Sequence, residues 1–486
     1  MSASAGSGVA PVGPHPRDRA LRADFPFRHV ALVLSGGGAL GAYEVGVLKV
    51  LERLGLAPAL VAGVSSGALN AVAWVAHGLR SAALERVWLA LRASNVGMRW
   101  ITLLVRALGV AVLLFATLEM FLTLAGSPVL GSPGLLGRHG SGRAYAVSVA
   151  LDAAAWALVA ALGLAVVALS RRAEGWIARL TPLTDPQRWH LRLGYLLLVG
   201  ATVHLVTLVT GLPWPHRFSA TALTFGFVAW LANRPGFGSG RLRHLMLRLL
   251  PEAGGRGLWG SASRRSVLEA LVADGEPARL TTGPTRLAIG ALAVDSGRMC
   301  HFVSGFDPAP EFRARIEEAL GEVIAVRDPA AVVRAAVASS AIPGIFEPVR
   351  FEGRDFVDPG GFSNQPLHVA IAAGADAAIV VFLAPSDGPP PARPARNLIE
   401  LGGRLLEIAN WRDLQVELRS LPPDWAATAR PGPAPAPRVC VVEPRGPLPG
   451  GVMDFAPVHA AELIRRGEED AWAALQRAGW LAAAEV

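Results

Sequence analysis

Three short stretches of the 486-residue chain carry residue types suited to chemistry. Gly63-Val64-Ser65-Ser66-Gly67 follows a short apolar run, Leu60-Val61-Ala62, and opens a helical pattern. In a G-x-S-x-G turn the serine hydroxyl projects from a sharp strand-to-helix corner. The positive end of the helix then faces any oxyanion that forms beside it. Gly36-Gly37-Gly38-Ala39-Leu40-Gly41 likewise follows an apolar run, residues 29–34. Its amides suit an anion, either a dinucleotide pyrophosphate or the oxyanion of acyl transfer. A nucleotide would require Asp or Glu at the end of the next strand to hold its ribose, and Ala62-Gly63 stands there instead. The third stretch, residues 356–366, carries a carboxylate, Asp358, followed by Pro359, Gly360 and Gly361.

The elements that must position these groups are readable from periodicity. Val47, Leu48, Leu51 and Leu54 give helical spacing between the two glycine turns. A parallel strand pair with a helical crossover puts both turns at the carboxyl edge of one sheet. Residues 349–357 predict a hairpin turning at Glu352-Gly353, with Asp358 at a strand end. A second hairpin is expected around Asp295-Ser296-Gly297, a buried strand at 378–383, and a last strand at 438–442. Helices are expected at 398–418 and 458–478, the first packing Leu401, Leu405, Ile408 and Trp411 on the sheet. His368 or His459 would complete a Ser-Asp-His triad as the rival to a Ser–Asp pair. His368 lies in an apolar stretch, where a packed histidine is the expectation.

A fourth segment, residues 338–348 (ASSAIPGIFEP), precedes Asp358. With these four segments in order, the chain resembles the patatin-like phospholipases. That resemblance implies an α/β fold, a three-layer α/β/α sandwich around a mostly parallel sheet. It implies Ser65 as nucleophile and Asp358 as base of a Ser–Asp dyad. Gly36, Gly37 and Gly38 form the oxyanion hole, and Gly41, Gly63, Gly67 and Gly360 shape the turns. The implied reaction is hydrolysis of carboxylic esters in phospholipids or lysophospholipids, with no cofactor, metal or calcium. Two positions depart from the family pattern: Leu40 stands where Arg or Lys is usual, and Pro359 where Gly is usual. A catalytically weak membrane scaffold is therefore the alternative reading, and a transporter with a fused soluble domain a third.

Composition adds a membrane. The chain is 52% hydrophobic, with a mean hydropathy of +0.39. The excess is concentrated in residues 101–125, 144–169, 193–212 and 218–231, the first two long enough to span a bilayer. Because the chemical motifs flank this insert, the number of crossings must be even. Arginines concentrate before the first span, between the second and third, and after the fourth, which favours four spans with the enzyme on the cytoplasmic face of a bacterial inner membrane. Glu119 and Asp152, inside spans one and two, are expected to reach headgroups or Arg138 and Arg143. The net charge of +8 is carried almost wholly by arginine, with Lys49 the only lysine. No nucleic-acid motif accompanies it, so anionic lipid is the expected partner, with the oligomeric state open. Cys300 and Cys440 imply neither a disulfide framework nor a metal site. The expected domains are a disordered tail (1–26), a first catalytic part (27–98), the transmembrane insert (99–235), a second catalytic part (236–386), and C-terminal helices, loops and a last strand (387–486).

Overall fold

Five consecutive buried residues, Val30–Leu34, form β1, and five more, Leu60–Val64, form β2. Strands apolar on both faces belong inside a helix-covered parallel sheet, and the two pair in parallel with Leu34 opposite Gly63. The computed structural model describes residues 20–98, 100–125, 143–180, 256–388, 398–423, 425 and 437–482. Its chain forms two compact units, Met1–Val96 with Arg264–Val486, and Gly97–Ser263.

In the first unit, α1 (Ala42–Arg53) crosses between β1 and β2, and α2 (Ser66–Ala76) and α3 (Ala82–Ala90) follow. After the second unit come α6 (Ala262–Asp274), α7 (Arg279–Thr282), β4 (Arg286–Ala293), β5 (Met299–Ser304), α8 (Pro310–Glu318), β6 (Gly321–Ala325) and α9 (Pro329–Ser339). The chain continues through β7 (Gly344–Phe346), β8 (Val349–Phe351), β9 (Arg354–Val357), α10 (Leu367–Ala372), β10 (Ala377–Val381), α11 (Leu398–Arg419), β11 (Val439–Val442) and α12 (Pro457–Arg477). The main sheet runs β11-β10-β1-β2-β4-β5-β6, with the β8–β9 hairpin attached to β4. All pairs along the path are parallel except β4–β5.

Alternate strand residues such as Ala31, Val33, Ala378 and Val380 face one core, covered by Phe312 and Ile316 of α8, Leu367 and Val369 of α10, and Leu414 of α11. Helices α2, α9 and α12 pack from the opposite side, completing the α/β/α sandwich. The C-terminal segments belong to this same unit, since β11 closes one sheet edge and α12 braces α1.

Two expectations change here. Residues 1–19 lie outside the described residues, but residues 20–26 are not a free tail. Leu21 bridges Leu481, and Phe25 and Phe27 pack on the Trp480 ring at 5.3 Å each. Buried aromatic area fixes them. In α11, the sheet takes Trp411, Leu414 and Leu418, while Leu401, Leu405 and Ile408 stay exposed.

In the second unit, α4 (Trp100–Leu124) and α5 (Arg143–Leu180) form an antiparallel pair, with β3 (Gly257–Trp259) near its end. Val112, Ala116, Trp156 and Val159 form their core. Two glycines let the backbones approach: a Cβ on Gly163 would lie 2.7 Å from the Leu113 nitrogen and 2.8 Å from the Gly109 oxygen. Residues 145–169 of α5 form a helix long and apolar enough to cross a membrane, with a mean hydropathy of 2.1. The apolar part of α4 counted on the same basis, residues 109–124, is shorter. The expected third and fourth spans lie outside the described residues. Glu119 and Asp152 are each 1% exposed. Both are buried within the described helical unit, and Arg138, one of their expected partners, lies outside the described residues.

Candidate active site

Ser65 sits between β2 and α2 with φ 54° and ψ −122°, a left-handed conformation that a non-glycine residue adopts at a cost. Its neighbours make that corner possible. A Cβ on Gly67 would lie 2.5 Å from the Leu34 oxygen, and one on Gly63 would lie 2.8 Å from Gly67. Only bare backbone lets β1, β2 and α2 meet so closely. The Ser65 amide donates to Ser339 Oγ (2.7 Å), which donates to the Gly290 carbonyl (2.6 Å), so a serine at the end of α9 ties the corner to β4.

Sheet register delivers Asp358. Val64 pairs with Gly290, and Leu292 pairs with Val357 of antiparallel β9. One residue beyond Val357, the chain has turned back toward the carboxyl end of β2. Asp358 is 4% exposed and accepts a hydrogen bond from the Gly360 amide at 2.8 Å. Burial pushes its carboxyl up to about 6; the Ser65 hydroxyl, the Gly360 amide and the charge of Arg264 oppose that rise. Ser65 and Asp358 meet around Asn364: a Cβ on Gly36 would clash with Asn364 Oδ1 and lie 2.8 Å from the Ser65 Cβ, and one on Gly360 would lie 3.0 Å from Asp358 Oδ1 and 3.8 Å from Asn364 Oδ1. Such serine–base contacts commonly tighten only around substrate. Pro359 removes no donor from this carboxyl, because the donating amide belongs to the next residue.

The three glycines of the first turn are not equivalent. The Gly36 amide donates to Asn364 Oδ1 (3.0 Å), and Asn364 Nδ2 returns a bond to the Gly36 carbonyl (2.9 Å). The Gly37 amide donates to Ser66 Oγ (3.1 Å). Gly38, at φ +55°, has no acceptor for its amide among the described residues and borders the cavity above Ser65. The loop is held further by the Ala39 amide on the Val452 carbonyl, 2.8 Å. Half-buried Leu40 occupies the position of the family's usual cation.

Behind this loop lies a buried polar chain. Asn70 Nδ2 donates to Glu44 Oε2 (2.7 Å) and to the Gly41 carbonyl (2.9 Å), while Trp88 Nε1 donates to Asn70 Oδ1 (2.8 Å). Complete burial drives the Glu44 carboxyl well above the usual carboxylate range. Trp88 stacks on Phe455 at 6.4 Å, and both line an open-mouthed cavity. Leu69, Leu84, Leu268 and Leu271 supply more of its apolar wall, and Ser65 lies on its surface.

The rival histidines lie elsewhere. His368 Nδ1 meets Glu417 Oε1 at 2.9 Å, with its ring 5.3 Å from that of His301. His459 pairs with Asp454 at 2.9 Å. Among the described residues no cluster suited to a metal occurs. Sequence reasoning missed Asn364, Ser66, Ser339 and the Glu44–Asn70–Trp88 chain. Asn364 lies within the 356–366 stretch that carries Asp358, and that proximity in sequence was the available signal.

A family profile described as patatin-like phospholipase matches residues 32–371, from β1 to α10. The chain belongs to that family. It is a lipid acyl hydrolase by membership, and the glycine turn, the Ser65 corner and the Asp358 loop all fall inside the matched span. Among solved structures, VipD from Legionella pneumophila is similar at 14% identity, with a TM-score of 0.33, over 93% of this chain and 67% of that one. No curated protein matches.

Proposed function

We propose that this patatin-like protein is a membrane-anchored serine acyl hydrolase acting on phospholipids or lysophospholipids through Ser65 and Asp358. Asp358 takes the Ser65 proton as Oγ attacks the ester carbonyl, and the oxyanion is held by the open Gly38 amide and the positive end of α2. The Gly37 amide joins as Ser66 Oγ gives way. Asp358 then returns the proton to the leaving alcohol. A water, deprotonated by the same carboxylate, cleaves the acyl-enzyme and restores Ser65. The observation that carries this reading is a strained serine facing a buried carboxylate on the wall of an apolar cavity. A base titrating near 6 is ionised at neutral pH yet basic enough to take a proton.

Membrane anchoring is supported by the apolar α5 and by its exposed leucines and valine, among them Leu158 at 76%. The sheet contains strands from both sides of the insert, so an even number of crossings follows for any membrane-spanning arrangement. The arginine distribution favours the cytoplasmic face for the hydrolase.

The test is labelling of purified full-length protein by a fluorophosphonate. Wild type labels and Ser65→Ala does not; a folded wild type that fails to label removes the hydrolase reading. The pH profile of kcat/KM for a soluble ester falls on the acid side with a midpoint near 6, as Asp358 is protonated.

A further inference from the structure

Helix α11 begins beyond residue 371, where the family match ends, yet its polar side chains grip the loop that follows Asp358. The Gly361 amide donates to Asn410 Oδ1 at 2.9 Å, and the Asn364 amide to Asp413 Oδ2 at 2.7 Å. The His368 amide donates to Glu417 Oε2 at 3.3 Å, while His368 Nδ1 meets Glu417 Oε1 at 2.9 Å. Each pair is separated by 49 residues. Asn410, Asp413 and Glu417 fall on one stripe of the helix, so the loop runs alongside α11 in constant register.

The grip extends to the other half of the site. Asn364, whose own amide is held by Asp413, bonds both the N–H and the carbonyl of Gly36 with its side chain. A continuous chain of bonds therefore runs from α11 through Asn364 to the glycine turn that carries Gly38. We propose that Asn410 and Asp413 are positioning residues, and that α11 sets the separation between the Asp358 loop and the oxyanion loop. This inference rests on the assignment of Ser65 and Asp358 as the reacting pair. The gripped segment is Gly-Gly-Phe-Ser-Asn, with little side-chain packing of its own and Phe362 68% exposed. Loop geometry must then come from outside, and a misplacement of about 1 Å costs on the order of 100-fold in rate. The helix itself is docked independently, by Trp411, Leu414 and Leu418 against the sheet core.

The experiment uses full-length protein, with fluorophosphonate labelling, kcat and KM for a soluble p-nitrophenyl ester, and melting temperature. Asp413→Ala lowers kcat by about 10–100-fold while KM stays within about twofold. Asp413→Asn keeps an acceptor in place and recovers most of that loss, and Asn410→Ala gives a smaller loss of the same kind. Leu418→Ala, which loosens α11 from the sheet without touching the loop, lowers the melting temperature and leaves kcat unchanged. Wild-type kcat in Asp413→Ala overturns the proposal. So does an equal kcat loss in Leu418→Ala, which would make general loosening the cause. Failure of the wild type to label would instead remove the Ser65 assignment and the ladder's purpose with it; normal wild-type labelling, matched by Asp413→Ala, sinks the ladder alone.

Discussion

Helices α2 and α5 are built from the same kind of residue and live in opposite surroundings. Every residue of α2 except Leu69 is buried, down to Trp74 at 0%. In α5, one stripe packs on α4 through Trp156 and Val159, while Leu158, Leu169 and Val147 are 76%, 55% and 54% exposed. The sheet and α9 supply what α2 needs; α4 covers only part of what α5 presents. Small, apolar helices are thus ambiguous in sequence, and the neighbours decide whether water or lipid is the tolerable solvent for the rest.

The sharpest way to break this comparison is to place a charge on each helix. Ala71→Asp puts an unpaired carboxylate into the closed core of α2. It should cost about 4 kcal/mol or more and abolish the folded hydrolase, read as loss of a cooperative melt. Leu158→Arg places a cation near the middle of the apolar stretch of α5. If lipid surrounds that face, the cost is about 2.5–3.5 kcal/mol of insertion, seen as release from membranes by carbonate washing. Improved solubility with unchanged folding would put α5 in water instead.

A smaller effect is expected at the helix crossing. Gly163→Leu drives a side chain into the α4 backbone near Leu113 and should cost about 1–3 kcal/mol, measured as loss of α4–α5 cross-linking between paired cysteines. The smallest concerns the hydrolase core, where ionising a buried group is itself unfavourable. The folded Asp358 titrates near 6 against an ordinary value of 3.8. Its stabilising contribution is therefore complete below about pH 4 and lost as pH rises through 6. Asp358→Asn removes that loss. The variant should be inactive, yet more stable than wild type by about 1–2 kcal/mol above pH 7, with the gap closing below pH 4 in denaturant titrations.

Much of the site was legible because its chemistry is local. The Ser65 corner needs glycines on both sides and an apolar strand before it, and all three are adjacent in sequence. The β8–β9 hairpin showed in Glu352-Gly353, which take φ 47° and 84°. What was hidden depends on contacts between distant segments. Gly36, Gly37 and Gly38 look alike in sequence, and only Asn364, 328 residues from Gly36, and Ser66 separate occupied amides from the open one. The apolar stripe of α11 suggested sheet packing, which Trp411, Leu414 and Leu418 provide, but the bonds from Asn410, Asp413 and Glu417 to the loop 49 residues earlier depend on a contact between distant segments. Leu40 keeps the turn without the usual cation, and the Ala39 amide on Val452 gives the loop another anchor.

The sheet order carries a consequence for biosynthesis. β1 lies between β2 and β10, and β10 begins at Ala377. One flank of the first strand therefore stays without its partner until residues 377–381 have left the ribosome, after the helical insert has been made. Such long-range closure is slow and leaves an edge open to wrong pairing. It also imposes an order of events. On the proposed Ser65–Asp358 assignment, the nascent chain holds its serine without its carboxylate while the insert is being made, so the reacting pair is complete only after that segment has been synthesised.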